Sequence, residues 1–215
     1  VGIIAQPDVD TEDITRLGEP ALFWGVTGGC IDSMVANRTA SGKRRREDDF
    51  TAGGINNRRP DRAVIVYANL IRRWFKETKP IVLGGIEASL RRIAHYDAWS
   101  NRVRRSILID AKADLLVYGM GEKTVLELAA RMKEGRAVSD LRGLCTVAAE
   151  RGPEMVELPS YEEAAVDPAA FTEMFLSFYR NQDHPTAQTL CQRQDSRWLI
   201  HNPPMPPLTE AEMDE

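Results

Sequence analysis

Cysteine is scarce in this chain. Cys30, Cys145 and Cys191 are the three in 215 residues. Their odd number and wide spacing exclude a disulfide framework and a CxxC metal knuckle, and favour a reducing compartment. Histidine is equally thin: His95, His184 and His201 lie far apart, and His95 has no second histidine or cysteine near it to complete a metal site. Long apolar runs are missing, so no segment can span a bilayer. A large charge of one sign is missing too, since a net charge of −4 excludes a general polyanion binder. These absences leave a cytoplasmic chain with no membrane partner. Its 43% hydrophobic residues suffice for one domain or one domain plus an appendage.

What is present is organised around glycine. Lys79 to Leu90 reads KPIVLGGIEASL: a short apolar run, Ile81 to Leu83, meets Gly84-Gly85 and passes through Glu87 and Ser89 into a helical pattern. Asp114 to Thr124, DLLVYGMGEKT, repeats the plan with Gly119, Gly121 and Glu122. A third apolar run, Ala21 to Val26, closes on Thr27-Gly28-Gly29. Strand, glycine turn and helix in series predict an α/β fold with a mostly parallel sheet and ligand loops at its carboxyl edge. Glycine lets backbone approach a ligand, and helix amides attract an anion. The candidate cofactor-binding set is therefore Gly28, Gly29, Ser33, Gly84, Gly85, Glu87, Gly119, Gly121 and Glu122; no catalytic or metal-ligating residue is assigned. Each turn taken alone is equally served by plain strand-to-helix connection chemistry. No GxGxxG opens a helix, because Glu122, Lys123 and Thr124 follow Gly121.

The remaining pattern is coarser. Val1 to Ala5 reads as a buried strand, and an opening as apolar as VGIIA suggests the middle of a folded unit and hence a fragment. Arg62 to Lys76 is read as helix, with Val64, Ala68, Ile71 and Phe75 on one face. A short helix with Leu90, Ile93, Ala94 and Trp99 on its apolar face, and carrying His95 and Tyr96, is expected after Gly85, and a strand over Ser106 to Ile109. Glu122 to Met132 is helical with Gly135 as its C-cap. Leu144 to Ala148 is expected as a last short strand of a domain spanning 1–149. From 150 to 215 come an acidic linker (Glu150 to Glu163) and a helix opened by Asp167-Pro168, with Phe171, Met174, Phe175 and Phe178 as its stripe. Beyond these lie a strand over Arg197 to His201, a Pro-rich segment and an acidic tail, Glu210 to Glu215.

Between Cys30 and Pro60 lie thirty-one residues almost without apolar periodicity. A loop this long inside an α/β unit is functional or disordered. Its run Lys43-Arg44-Arg45-Arg46-Glu47-Asp48-Asp49 offers phosphate contacts, or else is a solvated basic loop neutralised by the acids beside it.

The runs IDSMVANRTASGKRR, RPDRAVIVY, IVLGGIEASLRRIAHYDAWS and ADLLVYGMGEK closely resemble the N-terminal region of YgiQ-type radical SAM proteins, and the likeness extends over nearly the whole chain. The resemblance implies a longer protein in which a downstream barrel carries a CxxxCxxC motif, a 4Fe-4S cluster and S-adenosylmethionine. This chain lacks that motif, so neither group would be bound here. It also implies a flavodoxin-like domain, similar to cobalamin-binding domains, in which the first strand lies upstream of Val1. Cobalamin is an implied ligand, although the Asp-x-His-x-x-Gly motif that supplies an axial histidine is absent. The implied role is an accessory domain capping the barrel, its own downstream partner, or supplying it with a substrate or corrinoid site. A binding module for a nucleotide or other phosphorylated ligand, resting on the glycine turns and Lys43 to Arg46, and an RNA-contacting domain of an RNA-modifying enzyme are the alternatives, with a small molecule or RNA as substrate.

Overall fold

The computed structural model describes residues 1–214. Strand β1 (Trp24–Thr27) leads through α1 (Ser33–Asn37) and the long loop into α2 (Ala63–Trp74). Then come β2 (Ile81–Gly84), α3 (Gly85–Leu90), a hairpin of β3 (His95–Asp97) and β4 (Arg102–Arg104), α4 (Ile107–Asp110), β5 (Leu115–Val117) and α5 (Glu122–Glu134). The second half adds β6 (Leu144–Ala148), β7 (Val156–Leu158), α6 (Tyr161–Val166), α7 (Pro168–Arg180), β8 (Leu190–Gln194), β9 (Arg197–His201) and α8 (Glu210–Met213).

One seven-stranded sheet runs β1-β2-β5-β6-β9-β8-β7, with the β3-β4 hairpin apart from it. The fold is α/β and Rossmann-like. Strands β1, β2 and β5 are parallel neighbours, with Thr27 opposite Gly84 and Leu83 opposite Leu116. Strand β9 shares their direction, because β6 is antiparallel to both β5 and β9. Strands buried on both faces read as continuous apolar runs. Along β2, Ile81 and Leu83 join one core with Val64, Ala68 and Ile71 of α2, while Val82 joins a second core with Leu128 of α5, Leu141 and Leu144. Helices therefore cover both faces, and the parallel carboxyl ends emerge between them.

Several expectations change. Val1 to Ala5 forms no strand: Val1 and Ile3 are exposed, and β1 is the edge of the described sheet. The helix after Gly85 stops at Leu90, with Leu90 in solvent, and His95 and Tyr96 belong to the hairpin instead. Ser106 to Ile109 is a capped helix rather than a strand, because Ser106 Oγ accepts the Leu108 amide at 3.2 Å. Leu144 to Ala148 is not the last strand, since β7, β8 and β9, all beyond residue 150, extend the same sheet through β6. The acidic linker accordingly contains β7 and the start of α6. Of the acidic tail, Glu215 lies outside the described residues. No helix of the described residues is long and apolar enough to cross a membrane.

Candidate functional site

The three glycine turns meet. Parallel pairing of β1, β2 and β5 sets Gly28-Gly29, Gly84-Gly85 and Gly119-Met120-Gly121 side by side at one edge. Their glycines are fitted to one another. Gly85 has φ +79, and a Cβ there would collide with Thr27 Oγ1; a Cβ on Gly121 would stand 2.8 Å from Val117 Cγ1. Gly29 (φ +102) and Gly119 (φ +70) are exposed turns held by Thr27 Oγ1 and Ser89 Oγ, which accept their amides at 3.2 and 3.4 Å. Gly84 and Gly121 cap α3 and α5, and Glu122 opens α5 in solvent, where its charge complements the helix dipole.

Ser33 and Glu87 sit beneath this edge. Glu87 is 1% exposed. Its Oε2 accepts the Ser33 amide at 2.9 Å and its Oε1 the Val64 amide at 3.2 Å, while Ser33 Oγ accepts the Ala63 amide at 2.9 Å. One carboxylate thus satisfies free amides at the starts of two helices, α1 and α2. Asp32 adds a cap, its Oδ1 accepting from Met34 and Val35, and pairs with Arg91 through Oδ2. Asp32 and Arg91 are missing from the candidate set; the signal for Asp32 was its N-cap position before SMVAN.

A second buried group follows β5 and β9. Arg92 lies between the rings of Tyr118 and Phe178, 4.6 Å from each centroid. It donates to His201 Nε2 at 3.0 Å, to Gln182 Oε1 at 2.7 Å and to Ser89 O. No carboxylate pairs with it among the described residues. Burial, with Arg92 alongside, brings His201 down to about 3, and burial brings His95 down to about 4. Both stay neutral at physiological pH. The third histidine, His184, is half-buried in the turn after α7, its carbonyl held by Arg142.

The long loop is folded. Asp48 and Arg59 form a buried pair at 3.0 Å, Asp48 also accepts from Thr51 and the Phe50 amide, and Asp61 accepts from Asn37 and Arg38. The acids beside the basic run form no contact ion pair with it among the described residues: Asp48 turns to Arg59, and no salt bridge involves Lys43 to Arg46. Arg45, Arg46, Glu47, Asp48, Asp49 and Phe50 instead border a cleft of about 490 Å³ against Ile31, Val35 and Ala36.

Residues 1–215 match the family described as Radical SAM N-terminal. The chain belongs to it. Relatives called UPF0313 proteins agree along the whole of this chain: one from Fusobacterium nucleatum is 57% identical, one from Thermotoga maritima 55% and one from Methanocella arvoryzae 49%. The chain spans 37–38% of their length. Among solved structures, the radical S-adenosylmethionine methyltransferase TsrM from Kitasatospora setae, with tryptophan and a SAM analogue bound, is 23% identical over 60% of this chain and 18% of that one. Its TM-score is 0.38, too low to bear on the argument.

Family membership implies S-adenosylmethionine and a 4Fe-4S cluster in the full protein. The residues of this radical SAM N-terminal chain do not fit the cluster. Cys145 and Cys191 are buried, which pushes the Cys145 thiol up to about 12 and raises that of Cys191, whereas cluster ligands are thiolates. Cys30 is exposed, and no group of three metal-ligating side chains exists among the described residues. For cobalamin, the glycine edge offers backbone, but neither ring has a free, accessible nitrogen: His95 Nδ1 faces the Ile93 carbonyl and His201 Nε2 accepts from Arg92, while His95 Nε2 and His201 Nδ1 are buried without a partner.

Proposed function

We propose that this domain covers the reaction site of a radical SAM barrel supplied by the remainder of the full-length protein, and that its glycine edge faces that site. The carrying observation is the character of the edge. Ile86, Leu90 and Met120 are 46%, 63% and 50% exposed around the turns, while the polar atoms of Ser33 and Glu87 point inward to backbone. Apolar side chains left in water around a tightly fitted backbone suit contact with another protein surface. Reductive cleavage of S-adenosylmethionine then belongs to the barrel, and this domain excludes water and shapes access. A corrinoid held on the same edge is the version in which the domain also supplies a cofactor site.

Hydrogen exchange compared between this chain and the full-length protein tests the covering role. Residues 84–90 and 119–121 should exchange more slowly in the longer protein; equal rates would overturn it. Anaerobic titration with hydroxocobalamin separates the two versions, since colour retained after desalting supports the corrinoid one.

A further inference from the structure

We infer that the cleft between α1 and the long loop binds a nucleoside monophosphate. The cleft holds about 490 Å³, within the range of small-ligand sites, and it shares no lining residue with the three glycine turns, so the inference does not rest on the covering role. Its floor is apolar, from Ile31, Val35 and Ala36. Phe50 stands at its rim, 54% exposed, with the Arg59 guanidinium 5.7 Å from its ring centroid. Arg59 itself is 4% exposed and locked to Asp48. The ring is therefore backed on one side by a fixed cation and open on the other, an arrangement that suits stacking of a flat heterocycle.

The charges at the rim select the rest of the ligand. Arg46 makes no side-chain hydrogen bond or ion pair among the described residues, and Arg45 uses only its Nε, on the carbonyls of Val35 and Arg38. Both guanidinium ends are free to hold a phosphate. Glu47 and Asp49 are likewise unpaired among the described residues and are hydrogen-bond acceptors for ribose hydroxyls or an exocyclic amine. Two free cations beside two free carboxylates oppose a run of backbone phosphates, so one nucleotide fits better than a nucleic-acid strand. Lys43 and Arg44, the other half of the basic run, do not border the cleft.

The loop is a built platform. Asp48 fastens it to Arg59, Asn56 donates to the carbonyls of Asn37 and Arg45, and Gln6 holds Thr51 at 2.8 Å. A ligand would meet a preformed surface, which lowers the ordering cost of binding.

Calorimetric titration of this chain with AMP and GMP, and in parallel with adenosine, inorganic phosphate and a short single-stranded RNA, tests the inference. AMP or GMP should bind at least tenfold more tightly than adenosine or phosphate alone. Phe50→Leu should weaken the mononucleotide tenfold and leave phosphate unchanged, and Arg46→Gln should weaken the mononucleotide but not adenosine. Both side chains are exposed, and an unchanged melting temperature verifies that each variant is folded. No binding of either mononucleotide at millimolar concentration, or binding indifferent to both substitutions, would overturn the inference. So would RNA binding more tightly than AMP, which would make the cleft a strand-binding surface.

Discussion

Gly28 lies against Glu87: a Cβ built on Gly28 would come within 2.6 Å of Glu87 Oε2. The first glycine turn therefore leaves room for a buried carboxylate, and that carboxylate binds the starts of α1 and α2 to α3. The same glycine that looks like a ligand contact in the sequence has a structural task in the fold.

Gly28→Ala should accordingly destabilise the chain although its neighbour Gly29 stays free to bend. Glu87→Gln should do so more cleanly, because one amide N–H would then face an NH₂ donor instead of a carboxylate. The expected loss is about 2–4 kcal/mol, or a fall of about 5–15 °C in Tm at this chain size. Scanning calorimetry checks it, and a Glu87→Gln melt matching the parent would refute the two-helix role.

The Asp48–Arg59 pair controls the long loop. Removing one partner leaves the other charge buried and unpaired, at a cost of about 3–5 kcal/mol. Much of that cost can be relieved by the loop opening locally. Asp48→Asn should therefore make residues 43–57 susceptible to limited proteolysis before the sheet itself is lost, and mass mapping of the first cuts would show it. First cuts elsewhere would deny the loop its local latch.

What the sequence reveals and what it conceals divide along range. Helices α2, α5 and α7 are legible because their apolar spacing and caps are local, Asp167-Pro168 before α7 and Gly135 (φ +68) after α5 among them. The adjacency of the glycine turns is legible as well, since strand-turn-helix units in series predict parallel neighbours. Glu87 is not, because its partners lie 54 and 23 residues away and nothing local distinguishes a capping carboxylate from a ligand-binding one. Strands β7 and β8 escape for another reason, and β9, legible as a strand over Arg197 to His201, escapes only in its place in the sheet. Pairing across β6 and β9 decides their place in the sheet, and Gln192 and Gln194 interrupt the apolar pattern of β8 while forming a buried hydrogen-bond chain to Ala94 and Ser106. Ser106 shows a missed local signal: its side chain caps α4, where apolar residues had suggested a strand.

Acid should weaken this chain earlier than its carboxylates alone would. His95 and His201 fall from an ordinary 6.5 to about 4 and about 3, with burial as the first cause in each. The unfolded chain therefore binds more protons below 6.5, and stability drops as pH falls from about 6.5 toward 4, while above 6.5 the two groups contribute no slope. The paired Asp48, Asp61 and Asp97, whose values are lowered, add their loss only below the usual carboxylate range. Melts in urea from pH 8 to 4 should be flat to about 6.5 and then decline. His201→Gln should remove part of the decline between pH 6 and 4. A profile flat down to pH 4 would contradict the burial of both rings.

Arg92 links this acid response to the packing of α7. Its guanidinium is enclosed by Tyr118 and Phe178, and its Nε donates to His201. Arg92→Met keeps the length and the apolar contacts but leaves His201 Nε2, Gln182 Oε1 and the Ser89 carbonyl without their donor. A loss of about 2–4 kcal/mol is expected, seen as a lower Tm at pH 7.5. The same substitution removes a cation that opposes protonation of His201, so the ring should titrate nearer neutral pH than in the parent, though burial still holds it below 6.5. Arg92→Lys separates the two effects. It retains the charge, so His201 should stay low, but an ammonium cannot stack flat between two rings or reach all three acceptors, so stability should still fall. NMR titration of the His201 ring in the three proteins reads the charge, and the melts read the geometry. An unchanged His201 titration in Arg92→Met would show that burial alone keeps the ring neutral.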